Sequence, residues 1–201
     1  MTRDKQASDK KRIIVDLSFP QGKSVNDCVY KNCVFGWKVS HSLPTIQMAV
    51  DIIRREGFKV KLASLDIQRA YRNFSLCPLD WPLLMIKHKP NLHLDLSLPF
   101  GTRASSLYMQ CIAQYILRHL TQKGVVALFY LDDLLLIHTD LVDPFQQFAM
   151  VHATFRSLSL PLSYGKLCDP APSITWLGIN QIGLSLSQHT NYQCSRNTSS
   201  A

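Results

Sequence analysis

No stretch of eighteen consecutive apolar residues occurs in this 201-residue chain, so no segment reads as a membrane-spanning helix. The first twelve residues, MTRDKQASDKKR, lack the apolar core that a secretory signal needs. Six cysteines (28, 33, 77, 111, 168, 194) are scattered without a CxxC pair, and Cys28 and Cys33 have no matching Cys/His pair downstream. That pattern argues against a structural zinc site. With no secretory signal it favours reduced thiols in a cytoplasmic or nuclear setting. Acidic residues are scarce as well: 14 Asp and Glu face 22 Lys and Arg, a net charge of +8. Such a balance suits a polyanionic partner such as nucleic acid, and a basic soluble protein without one shows the same balance.

What is present is a globular composition. At 46% apolar, the chain has the material for a real core, in one domain or one domain with a mobile lobe. Its charges are uneven. Residues 1–40 carry eight Lys and Arg against four Asp, and a second basic group runs through Arg54, Arg55, Lys59, Lys61, Arg69 and Arg72. Asp132, Asp133, Asp140 and Asp143 then form an acidic stretch with no basic residue near. A site for phosphates plus metal needs this arrangement, and ordinary solvated surface produces it too.

Residues 1–11 read as a flexible basic N-terminus and 188–201 as a disordered polar tail. Between them, 12–18 reads as a short strand followed by a turn-rich loop. Residues 43–57 read as a helix, with Pro44 in its first turn and Gly57 at its end. Residues 60–68 read as a strand placing Asp66 on one face with Ser64 and Gln68. Segments 82–88 and 92–98 form a predicted hairpin about Lys89-Pro90-Asn91, and 102–120 a second helix capped by Ser105 or Ser106. The run 125–137 predicts two buried strands meeting at an Asp-Asp tip, 144–159 a third helix, and 174–186 a last hairpin. Strands and helices alternate irregularly. The expected class is therefore α+β, an antiparallel sheet with helices on one face.

Three carboxylates carry the chemistry. With 13 Asp in 201 residues, about 0.8 adjacent Asp pairs arise by chance, so Asp132-Asp133 means little by itself. Its setting adds weight, because two charges inside an apolar run are costly unless they emerge at an open tip or bind a cation. A polar hairpin turn between core strands satisfies the same pattern. Asp66 ends another apolar strand, and an ion pair with Arg69 or Arg72 is its alternative explanation. If the two strands are neighbours, like charges about 4 Å apart repel by roughly 4 kcal/mol at an effective dielectric near 20. Hard divalent cations such as Mg²⁺ or Mn²⁺ relieve that repulsion, and two of them suit an in-line phosphoryl displacement.

Six segments in order then resemble one family: RIIVDLSFPQGKSVND, SLDIQRAY, LPFGTRASSLYMQ, FYLDDLLLI, LPLSYGKL and TWLGI. The chain resembles reverse transcriptases, most closely those of retrotransposons that carry a tyrosine recombinase. The resemblance implies a polymerase palm plus fingers over 12–187, the fingers about 12–60 and 77–104, the palm about 61–76 and 105–187. It implies an RNA-directed DNA polymerase using two Mg²⁺ (or Mn²⁺) ions held by Asp66, Asp132 and Asp133. Its partners would be dNTPs and a primer on an RNA or DNA template. Tyr71 then falls under the incoming sugar, where it excludes a 2′-hydroxyl. Arg12 matches the fingers arginine on the triphosphate, Phe100 and Gly101 the loop facing the nucleotide, and Arg103 a residue near template or triphosphate. Lys166 matches the lysine near the leaving pyrophosphate, and Trp176, Leu177 and Gly178 the hairpin that steadies the primer end. The chain departs from many relatives in carrying Arg69 where they have an acidic residue, and from retroviral enzymes in carrying Phe100 where they have Gln. By the same resemblance no thumb follows the last hairpin. That implies weak hold on primer–template, thumb function supplied by another chain, or a vestigial nucleic-acid-binding protein.

Overall fold

In the computed structural model, residues 14–182 are described apart from positions 31, 35, 41 and 58. A short helix, α1 (Val25–Cys28), starts at a capping box in which Ser24 and Asp27 satisfy each other's backbone N–H groups. Two small strands follow, β1 (Cys33–Val34) and β2 (Trp37–Lys38). Helix α2 (Ile46–Glu56) is capped by the Thr45 hydroxyl, which accepts from Met48 N, and stops at Gly57, whose φ is 100°. Then comes β3 (Lys61–Asp66), and after an intervening turn the hairpin β4 (Met85–His88) and β5 (Asn91–Leu94). Helix α3 (Ser105–Gln122) leads into β6 (Ala127–Tyr130) and β7 (Asp133–His138). Helix α4 (Pro144–Ser157) opens with Pro144 in its first turn and the Asp143 carboxylate accepting from Phe145 N and Gln146 N. Strands β8 (Cys168–Ala171), β9 (Ser173–Trp176) and β10 (Ile179–Ile182) end the described chain.

The central sheet runs in the order β6–β7–β3–β8, every pairing antiparallel. Strand alternation splits its core in two. Ala63, Leu65, Leu134 and Leu136 face α3 and α4, packing with Met109, Ala113, Ile116, Val151 and Phe155. Leu62, Leu135 and Ile137 face the other way, onto Ala49 and Ile53 of α2 and onto Ile174 and Trp176 of β9. The expected α+β class is observed, with α3 and α4 on one face. The opposite face is not bare, because α2 and the β9–β10 hairpin cover it. Burial on both faces explains why β7 reads as an unbroken apolar run.

Several predicted bounds differ. Residues 14–18 form no strand: Ile14 is exposed, and the Asp16 side chain is engaged locally by Ser18 N. Residues 12 and 13, the N-terminal segment before them and the tail 188–201 lie outside the described residues. Helix α3 begins at Ser105 instead of 102, and neither Ser105 nor Ser106 caps it. The buried Ser105 hydroxyl instead donates to Pro99 O and meets the Thr102 hydroxyl, so it fastens the preceding loop. Strand β8 falls where the sequence reading assigned no element; its Pro170 is tolerated because β8 is an edge strand. No helix among the described residues is long and apolar enough to cross a membrane.

Candidate active site

Strands β3 and β7 pair so that Asp66 stands directly opposite Asp133. Alternation along both strands puts these two carboxylates on the same face, at one end of the sheet. Asp132 occupies the two-residue turn between β6 and β7, and its carbonyl accepts from Ile67 N at 3.0 Å, which carries the pairing past Asp66. The predicted Asp-Asp tip is therefore divided: Asp132 lies in the turn, and Asp133 is the first residue of the strand. Asp66 is buried at 5% exposure. Burial pushes Asp133 up to about 6, reinforced by a hydrogen bond with Asp66 and by the charges of Asp132 and Asp66, with Lys166 opposing.

The turn that carries Asp132 is built from within the core. Leu131 sits at φ 52°, a conformation costly for a branched side chain. Gln110 of α3, fully buried, secures it: its Oε1 accepts from Leu131 N at 2.9 Å, and its Nε2 donates to Phe129 O at 3.0 Å. Gln110→Leu leaves both backbone groups without these partners. The expected loss is about 1–3 kcal/mol of stability per buried group left unsatisfied. A chemical-denaturation curve with an unchanged midpoint would remove Gln110 from this role.

Lys166 reaches the site from the loop before β8. That loop is laced to β3 by Gln68 N to Pro161 O and Ser163 N to Asp66 O, both 2.8 Å, around a bridge between Ile67 and Leu162. Its ammonium stands 2.5 Å from Asp66 Oδ2, and its side chain is 60% exposed against 6% for Asp66. The hydrogen bond with Asp66 holds the lysine above its ordinary value, so it stays charged. Neither arginine weighed as a partner for Asp66 takes that place. Arg72 pairs with Asp95, while Arg69 lies at φ 51° heading the turn Ala70–Asn73.

That turn carries Tyr71, whose ring lies 5.0 Å from the Phe100 ring. Burial, then the charges of Asp132 and Tyr130, push the Tyr71 phenol up. Gly101 has φ 102°, and a Cβ there would sit 2.2 Å from Val15 O, so the 14–16 segment packs directly on this glycine. Asn26 of α1, buried, ties the same loop down. Its Nδ2 donates to Ser18 Oγ (2.8 Å) and Gly101 O (2.9 Å), and its Oδ1 accepts from Arg103 N (2.8 Å). The Arg103 side chain stays exposed. Trp176 is 2% exposed in the second core, and among the described residues its Nε1 has no hydrogen-bond partner. Leu177 (φ 49°) and Gly178 (φ 78°) form the tight turn of the β9–β10 hairpin. Arg12 lies outside the described residues.

Gln110 and Asn26 were not singled out in the sequence. A glutamine interrupting the apolar stripe of α3 is a readable signal for the first. Asn26 lies hidden inside a capping box, whose own explanation is sufficient.

A family model for reverse transcriptase (RNA-dependent DNA polymerase) matches residues 3–181. The chain belongs to the reverse transcriptase family. Its fold is similar to the foamy viral protease–reverse transcriptase in complex with double-stranded DNA, with a TM-score of 0.61 and 14% identity over 84% of this chain. A mutant of the prototype foamy virus protease–reverse transcriptase gives a TM-score of 0.59 and 17% identity over 84% of this chain. The foamy viral enzyme in complex with an RNA/DNA hybrid gives 0.51 and 14% over 63%. The chain spans 26%, 21% and 17% of the length of those three chains. At such identities the likeness is one of fold. No curated protein matches the chain.

Reverse transcriptases use divalent metals, and the donor set here fits them. Asp66 and Asp133 face each other across β3 and β7, and the Asp133 carboxyl is raised by burial, by a hydrogen bond with Asp66 and by the charges of Asp132 and Asp66, a situation a hard cation relieves. Among the described residues no three His, Cys, Asp or Glu side chains form a ready-made cage. The pH dependence follows. The folded Asp133 carboxyl lies near 6, above an unfolded value near 3.8. Between these values the folded chain binds more protons, so metal-free stability falls as pH rises. Melting in chelator should drop from pH 5 to pH 7, and added Mn²⁺ should restore it at pH 7 but not at pH 5. Equal Mn²⁺ effects at the two pH values would contradict the raised Asp133 carboxyl.

Proposed function

We propose that the chain is the fingers-and-palm portion of a retroelement RNA-directed DNA polymerase, extending a primer on an RNA or DNA template. The fingers are residues 12–60 and 77–104, the palm 61–76 and 105–187. One observation carries the reading: Asp66 and Asp133 are register partners, with Asp132 in the adjoining turn. Asp66, Asp132 and Asp133 would hold two Mg²⁺ or Mn²⁺ ions, which when bound supply activation of the primer hydroxyl and stabilisation of the leaving pyrophosphate.

The chain's own residues orient the substrates. Tyr71 and Phe100 wall the sugar, and the Gly101 backbone approaches the nucleotide. Arg12 and Arg103 meet triphosphate or template charge. Lys166, on an exposed side chain, moves from Asp66 to the departing pyrophosphate and donates a proton there. Leu177 and Gly178, with Trp176 rooting them in the core, steady the primer end.

A second reading, a catalytically inactive nucleic-acid-binding protein, is favoured by the Lys166 ammonium already neutralising Asp66. Purified chain with Mg²⁺ or Mn²⁺, dTTP and oligo(dT)-primed poly(A) separates the two. Metal-dependent extension supports the polymerase. Salt-sensitive binding of the primed template without extension supports the second.

A further inference from the structure

We propose that Arg72, to which the resemblance assigned no part, is a positioning residue for nucleotide selection: fixed by Asp95 and Ser97, its guanidinium braces Phe100 against Tyr71. The inference rests on the polymerase reading above. Arg72 Nη1 donates to Asp95 Oδ1 and, at 3.0 Å, to Ser97 Oγ. Asp95, whose side chain is 11% exposed against 35% for Arg72, also accepts from Ser97 N at 3.4 Å. The anchor is itself fastened: Leu76 N donates to Leu96 O at 3.0 Å, Leu98 N to Phe74 O at 2.9 Å, and Ser75 bridges Ser97. A guanidinium so committed is poorly placed to serve as a phosphate clamp.

Its other contact is the Phe100 ring, with Cζ 5.7 Å from the centroid, a cation–π distance. The same ring meets Tyr71 at 5.0 Å, and Tyr71 feels the charge of Asp132. A cavity of about 190 Å³, lined by Val15, Arg72, Ile86, His93, Asp95 and Phe100, adjoins the ring. Close packing therefore does not confine Phe100 on that side, and Arg72 does. Asp95, Arg72, Phe100 and Tyr71 form one continuous line of contacts from the segment just after β5 to the turn that follows β3. Loss of the brace lets Phe100 turn into the cavity and widens the space at the sugar.

Steady-state incorporation of dTTP and UTP by the full chain tests this. Arg72→Ala and Asp95→Ala should each raise the dTTP KM and lower the dTTP-over-UTP preference by about fivefold, the size of one lost cation–π contact. Under the proposal kcat stays within twofold, and the double variant matches the singles because both remove one support. An unchanged KM and preference, a loss confined to kcat, or additive effects would overturn it. If Arg72→Ala fails to fold, Arg72→Gln removes the cation from the Phe100 ring while keeping a hydrogen-bond donor toward Asp95, and the same readings apply. If the parent chain incorporates nothing, the polymerase reading has failed separately. The brace is then read by fluorine NMR of 4-fluorophenylalanine placed at Phe100. A resonance that Arg72→Ala moves by more than its linewidth supports the brace, and an unmoved one rejects it.

Discussion

Asp132→Asn and Asp66→Asn should each lower dTTP incorporation on a primed poly(A) template by about a thousandfold or more. The size follows from the several kcal/mol of transition-state charge stabilisation that a metal ion supplies, at a factor of ten per 1.36 kcal/mol. Asparagine keeps the shape and removes the charge, so the loss reports on cation binding instead of packing. The two variants differ in their side effects. Asp66 is buried and bonded to Lys166, so Asp66→Asn also frees the lysine, and its melting temperature should move. Asp132 lies in a turn held from below through Leu131 and Gln110, so Asp132→Asn should leave the fold in place. Parallel incorporation assays and melting curves check both statements. Asp132→Asn retaining more than a tenth of parental activity would remove that residue from catalysis.

If the chain polymerises as proposed, Tyr71→Val should cost it its sugar selection. The phenol feels the charge of Asp132 and packs on Phe100, and under the proposed function a ribose 2′-hydroxyl would run into it. Removing the ring should reduce the ratio of kcat/KM for dTTP over UTP by about a hundredfold, which corresponds to about 2.7 kcal/mol. Most of that change should be gained activity on UTP, with dTTP incorporation falling several-fold as the pocket loosens. A ratio unchanged within threefold would make Tyr71 a packing aromatic that closes the end of the core, the other role its half-buried position allows. Under the proposed function the effect should exceed that of Arg72→Ala, because Tyr71 would meet the sugar and Arg72 would act through a second ring.

The sequence told most where one physical cause acted alone. Val125–Ile137 is apolar because both faces of the sheet are covered, so the paired strands were legible, and two charges inside them marked the tip. Helix α2 was legible from its apolar spacing and from Gly57, which act locally, although Pro44 precedes the Thr45 cap instead of lying in the first turn. Legibility failed where tertiary partners decide. Pro170 disfavours a strand locally, and only β3 as a neighbour makes β8 an edge strand that accommodates it. Ser105 reads as a cap until Pro99 O claims its hydroxyl. For Asp66 the charge pattern offered Arg69 or Arg72, both near in sequence, whereas the partner is Lys166, 100 residues away. The roles of Gln110 and Asn26 rest on contacts across 21 and 75 residues, which no local pattern encodes.

The central claim is that Asp66, Asp132 and Asp133 form one metal-binding site. Anomalous diffraction from crystals of the chain grown with Mn²⁺, dTTP and a primed template tests it most directly. The predicted result is a manganese peak in contact with Asp66 and with at least one of Asp132 and Asp133, the triphosphate completing its shell and Lys166 withdrawn from Asp66. Ordered dTTP with manganese bound elsewhere, or Lys166 still against Asp66, would contradict it.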